Sequence, residues 1–216
     1  MKNVIIAPGL AEKIQAGLRR MHQIRVEDPQ TWADAIDEAR RLMNWERLVF
    51  LHEPAQWLDV FEQHAARMDD GSYWKVLLRI YCRLDTVAVH IRRFRRLFKS
   101  RPVEPALRID PVYIHWFHAQ PDQIKIYRGY AGPFAAGFSW TLNRRIAKYF
   151  AYRAQERLCD PQIRPQVLMG LAQKKDVVTL VLSGPEAEVI IDPRLVTHKK
   201  RRTLGPLRGL LENLIA

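Results

Sequence analysis

The sequence predicts an α+β protein, with helices in its first half and strands after about residue 120. Two observations carry that prediction. Before residue 100 apolar residues recur at spacings of three and four, the period of one helix face. After residue 120 they alternate singly or run in short stretches bounded by Gly and Pro, as strands do.

The elements follow in order. Asp28-Pro29 sets an N-cap acceptor before a proline at the first helical position and opens a helix through about Met43. Glu53-Pro54 opens another, with Trp57, Val60, Phe61 and Ala65 on one face. A longer helix begins near Ser72, where Leu77, Ile80, Leu84, Val87, Ile91, Phe94 and Phe98 form one continuous apolar stripe. Residues 123–129 (Gln-Ile-Lys-Ile-Tyr-Arg-Gly) alternate and end in glycine, a strand. Residues 137–141 are short, aromatic and extended, and Asn143 caps a helix whose apolar positions are Ile146, Ala147, Phe150 and Ala151. Residues 167–171, 177–182 and 188–191 are three further strands, and 206–215 a short amphipathic helix.

Composition limits the function classes. Of 216 residues, 48% are hydrophobic and 10% aromatic, which marks a globular chain. No apolar run approaches the roughly 20 residues that span a bilayer, and the apolar stretch within Met1–Pro8 is too short for a signal peptide. The expectation is a cytoplasmic protein that does not engage a membrane. Cys82 and Cys159 are too few for a disulfide framework. His22, His52, His64, His90, His115, His118 and His198 show no paired ligand spacing, so no metal is expected.

Charge is distributed unevenly. Residues 1–74 hold nine Lys/Arg against twelve Asp/Glu, a net of −3, whereas residues 75–216 hold 26 against 11, a net of +15. Two clusters dominate. His90, Arg92, Arg93, Arg95, Arg96, Lys99 and Arg101 fall together with no acid between Asp85 and Glu104, and His198-Lys199-Lys200-Arg201-Arg202 follows near the end. A solvated face accounts for such runs, but like charges on one helix repel unless anions neutralise them. A nucleic-acid partner, RNA or DNA, is therefore expected at Arg92, Arg93, Arg95, Arg96, Lys99, Lys199, Lys200, Arg201 and Arg202.

Three short pieces in the strand-rich half carry chemistry: Tyr127-Arg128-Gly129 at a strand end, Ser139-Trp140-Thr141 before a helix, and Glu186-Ala187-Glu188 entering the run Val189-Ile190-Ile191. Each alone has an ordinary structural explanation. In this order and spacing they resemble the arginine–serine–glutamate class of mono-ADP-ribosyltransferases over roughly residues 120–193. The likeness is strongest from Gly137 to Thr141 with Ala147 and Phe150-Ala151 behind. Where the class has Ser-Thr-Ser, this chain has Ser-Trp-Thr. The stretch from Trp74 through the basic helix looks like the helical part preceding the core in phage- and plasmid-borne members.

That resemblance implies a split two-sheet β core that grips NAD+ between its sheets. The implied organisation is a helical part over 1–118, the transferase core over 119–196, and a basic tail with a short helix over 197–216. It implies that Arg128 holds the dinucleotide, that Ser139 orients the catalytic Glu188, and that Glu186 faces the acceptor. Gly129, Trp140 and Thr141 complete the NAD+ site. A toxin or anti-phage defence role, with a neutralising antitoxin, is implied on the same ground.

The residue types suit those roles. An Arg fork matches the oxygens of a pyrophosphate. Gly129 lets backbone approach the planar carboxamide of nicotinamide closely. Cleaving the bond to nicotinamide develops an oxocarbenium cation, which a fixed carboxylate at Glu188 stabilises, and a second carboxylate at Glu186 takes a proton from an incoming N–H. Tyr130, Phe134, Trp140 and Tyr149 are candidates to stack on nicotinamide. The expected activity is NAD+-dependent transfer of ADP-ribose to a macromolecule, nucleic acid first. The alternatives are transfer to protein arginine and a catalytically silent nucleic-acid-binding relative.

Overall fold

The computed structural model describes residues 28–84, 87, 89–103, 117–133, 135–158, 160, 162–181 and 187–205. Glu186, Phe134 and the helix expected over 206–215 lie outside the described residues. The chain divides into two compact units, residues 1–84 and 85–216. Helices come first and a six-stranded antiparallel sheet follows, an α+β fold.

The first unit is helical. Helix α1 (Pro29–Arg41) starts where Asp28 accepts a hydrogen bond from the Thr31 amide at 3.0 Å. It is followed by α2 (Trp45–Phe50), capped by Asn44, and α3 (Trp57–His64), which a short 3-10 turn at Pro54–Gln56 introduces. Helix α4 (Asp70–Arg83) begins with Asp69 accepting from the Ser72 amide at 2.8 Å. Their apolar faces meet in an aromatic-rich core. Phe61 and Tyr73 lie 5.0 Å apart and Trp74 meets Tyr73 edge-on at 5.7 Å, with Leu48, Leu77 and Ile80 buried beside them. Edge-on and tilted ring geometry adds to the burial of such rings.

The long helix expected from Ser72 to Phe98 is not one helix. Helix α4 stops at Leu84, which is extended (φ −87°, ψ 109°), and α5 (Ile91–Leu97) is separate. Between them the sequence is Asp85-Thr86-Val87-Ala88-Val89, where three β-branched residues and an aspartate favour other conformations. The apolar stripe thus serves two units. Leu77, Ile80 and Leu84 are buried in the first, Phe94 and Phe98 in the second.

The second unit is built on the sheet. Its strands are β1 (Gln123–Ala131), β2 (Ser139–Thr141), β3 (Pro165–Gln173), β4 (Val177–Val181), β5 (Glu188–Ile191) and β6 (Thr197–Thr203), in the order β4-β5-β2-β1-β3-β6. Helix α6 (Arg144–Leu158) packs on β1 through Ala147, Ala151 and Tyr152. The other core gathers Ile124, Ile126, Tyr130, Trp140, Leu168, Leu180 and Val189. Strand β6 was not expected. Residues 197–203 read as the start of a basic tail because they show no apolar alternation, yet they pair with β3 along the sheet edge. An edge strand exposed on both faces needs no apolar pattern, and lysines are common there. No helix among the described residues is long and apolar enough to cross a membrane.

Candidate active site and basic surface

The sheet narrows at its middle. Strands β1 and β3 pair along nine residues, but β1 and β2 share the single pair Tyr127–Thr141. The six strands form one sheet, in which the neighbours β2 and β1 share that single pair. Arg128 sits just past that point, where the strands have ceased to pair. Its Nε donates to the Ala135 carbonyl at 3.1 Å and its Nη1 to the Ser139 carbonyl at 2.6 Å. The guanidinium so replaces, across the gap, the ladder bonds that the strands no longer make. Gly137 makes room for it, since a Cβ there would overlap the guanidinium.

Ser139 and Glu188 meet across β2 and β5. These strands pair Ser139 with Ile190, Trp140 with Val189 and Thr141 with Glu188. Alternation sets Ser139, Thr141 and Glu188 on one face and Trp140 and Val189 on the other. Ser139 is thus the diagonal neighbour of Glu188, a relation that spans roughly 7–8 Å in an antiparallel pair. Both residues are half-buried. Ala187, which precedes Glu188, has a positive φ of 40°, a conformation that a residue with a side chain seldom adopts. Its carbonyl accepts from the Leu142 amide at 3.3 Å, so β2 holds the entry to β5 in that shape.

The other expected site residues divide between exposed and architectural positions. Thr141 is buried and its hydroxyl accepts from the Asn143 amide at 3.0 Å, while Asn143 in turn caps α6 by accepting from Arg145 N at 2.8 Å. Gly129 lets α6 approach β1, because a Cβ there would overlap the Ala147 carbonyl. Trp140 is 2% exposed, with its indole N–H on the Gly137 carbonyl at 3.1 Å, and its ring belongs to the core. Tyr130 is likewise buried and donates to Gln166 at 2.7 Å. Of the four stacking candidates, Tyr149 on α6 is exposed. Among the described residues no group of three or more His, Cys, Asp or Glu is arranged to hold a metal.

The basic residues are also of two kinds. Arg95 is structural: its Nε donates to Asp192 Oδ2 at 3.2 Å and its guanidinium lies 5.9 Å from the centre of the Phe138 ring. Arg194 grips the same carboxylate through Nε at 3.1 Å and Nη2 at 2.7 Å. Asp192 is 4% exposed. Burial by itself raises its pKa, but hydrogen bonds from the Arg194 side chain and backbone, with the charges of Arg95 and Arg194, outweigh burial and hold it below the ordinary value of 3.8. Lys199 donates to the Pro193 carbonyl at 2.6 Å. Arg92, Arg96 and Lys99, and all of β6, are exposed.

Sequence reasoning missed Gly137, the Ala135 carbonyl and Asp192. Asp192 left a signal, an acid directly after the apolar run Val189–Ile191 in the most basic part of the chain. Searched against protein-family models, curated proteins and solved structures, the chain matches none of them.

Proposed function

We propose that the second unit is an NAD+-dependent ADP-ribosyltransferase that releases nicotinamide and transfers ADP-ribose to a macromolecular acceptor, nucleic acid first. The single observation that carries this reading is the grouping of Arg128, Ser139 and Glu188 on the adjacent strands β1, β2 and β5. It adds a spatial argument to the sequence resemblance, since Ser139 and Glu188, 49 positions apart, share a sheet face and Arg128 on the neighbouring strand bonds the Ser139 carbonyl. The one-pair junction between β1 and β2 favours a split core, with the substrate bound where these strands diverge.

In this reading Glu188 accepts from a ribose hydroxyl of NAD+ and stabilises the cation that forms as nicotinamide leaves. Ser139 fixes the carboxylate. Arg128 acts first as a brace that holds the Ser139 backbone in register with β1, and by the resemblance it is the arginine that contacts the dinucleotide. The strained backbone at Ala187 aims Glu188, a use of strain found at active sites.

The test is nicotinamide release from labelled NAD+. Glu188→Gln is isosteric and removes the charge, so turnover is expected to fall by about 10²–10³-fold or more while thermal unfolding stays unchanged. Turnover equal to that of the parent protein would exclude Glu188 and with it the reading. Nuclease and protease digestion of the labelled lysate then separates a nucleic-acid acceptor from a protein one.

A further inference from the structure

We infer that the two basic clusters, about a hundred residues apart in sequence, form one continuous docking ridge for the phosphate backbone of a nucleic acid, and that buried Asp192 is the staple that joins them. Asp192 binds Arg95 of α5 on one side and Arg194 of the β5–β6 connection on the other. The next link is Lys199 of β6, whose ammonium holds the Pro193 carbonyl. The chain from α5 to β6 is therefore made of direct contacts within one unit.

One carboxylate pairs with two arginines at the centre of this ridge, and further bases stand on its flanks. Arg92 and Arg96 stand about one turn apart on α5, Lys99 follows at the next turn, and all three are exposed. On the far side Lys200, Arg201 and Arg202 are exposed along an extended edge strand whose whole length has no acid. Side chains alternate along the strand, so Lys200 and Arg202, about 6.6–6.8 Å apart, line one face of this edge and Lys199 and Arg201 the other, and positive groups repeat along both sides of it. A linear polyanion with regularly repeated charge complements such a line, and neutralising it releases condensed counterions. The acceptor half of the proposed function is deepened by this surface. Its readout, binding without NAD+, is separate from turnover, so the two can fail independently.

The experiment is fluorescence anisotropy of the full chain with labelled single-stranded RNA of about 20 nucleotides, longer than the usual site size of single-strand binders. Single-stranded DNA and duplex DNA of matching length, polyglutamate, and vesicles of phosphatidylserine and phosphatidylcholine serve as the other probes. Binding to at least one nucleic acid is expected, falling steeply with salt. The pair Lys200→Glu/Arg201→Glu and the pair Arg92→Glu/Lys99→Glu are each expected to weaken it at least tenfold. Each should also lower the log–log salt slope by about 1–2, given roughly 0.7–0.9 per phosphate contact. Glutamine replacements at the same positions, with unchanged thermal unfolding, stand in for either pair that disturbs the fold. Loss from only one pair would overturn the single ridge. Equal affinity for polyglutamate or vesicles would overturn the choice of nucleic acid. Unchanged binding in both pairs would leave the β6 charges as guards of the sheet edge and nothing more.

Discussion

Residues 1–84 hold twelve Lys/Arg and twelve Asp/Glu, whereas residues 85–216 hold 23 and 11, so the second unit carries the entire net charge of +12. The first unit uses its charges locally. Glu46 pairs with Lys75 at 3.0 Å and with Arg79, and Arg47 reaches Glu38 at 2.9 Å, all on the helical surface. Such exposed pairs contribute little each, and the unit rests on its aromatic core. In the second unit one buried acid, Asp192, pairs with two arginines, and the strand β6 is basic and exposed along its length. Surplus charge of one sign weakens a compact state by self-repulsion. Under the proposed function an anionic partner would offset that repulsion.

Four substitutions and a titration sharpen that contrast. After the loss of turnover expected for Glu188→Gln, the largest effect is in the first unit. Trp74 is fully buried, and Trp74→Ala should destabilise that unit by about 3–5 kcal/mol. Hydrogen exchange, measured separately in α4 and in β1, should show the loss in α4. In the second unit Gly129→Ala forces a methyl into the Ala147 carbonyl and should cost about 1–3 kcal/mol or more, visible as faster exchange in α6 and β1. Wild-type stability in that variant would mean that α6 does not pack on β1 as described. Asp192→Asn removes the charge between Arg95 and Arg194 and should cost about 1–3 kcal/mol, read as a lower urea midpoint for the second unit.

The smallest effect is a difference in acid sensitivity. His64 is buried against Trp45, and its pKa is depressed below the ordinary 6.5 by burial first and then by Arg40, Arg67 and His52. The folded state resists its protonation, so its contribution is complete above pH 6.5 and is lost as the pH falls from there toward the depressed value. Asp192 is depressed below 3.8, so its contribution is complete above that value and lost only as the pH falls through the lower, folded one. Between pH 7 and 5 the first unit should therefore soften while the second holds. Exchange that accelerates first in the sheet would contradict both assignments.

Much of this was legible in the sequence because local rules were enough. Asp28-Pro29 announces α1, Asn143 announces α6, and Glu188–Ile191 is the strand that its apolar run suggests. What escaped depends on pairing across the chain. The stripe from Leu77 to Phe98 has perfect helical spacing, and the β-branched run after Leu84 decides against continuity. Short α2 has too few residues for a period, and β6 lacks an apolar face altogether. At the candidate site the sequence offered Arg128, Ser139 and Glu188 as names, but register alone sets Glu188 opposite Thr141 and diagonal to Ser139. Arg128 was expected to hold a ligand, and its described bonds are to carbonyls, a brace that no motif reveals. Trp140 and Gly129 were assigned to the cofactor, whereas Trp140 packs in the core and Gly129 admits the α6 backbone.

The open border formed by β6 has one more consequence, for self-association. Among the described residues β6 pairs with β3 alone, and such an edge invites a second copy to extend the sheet, but here each approaching copy would present the same row of ammonium and guanidinium groups. Mutual repulsion should keep the borders apart in dilute buffer. Concentrated salt screens that repulsion to within about 3 Å at 1 M, so the molecules should lose their electrostatic insulation and begin to oligomerise through this border as ionic strength climbs.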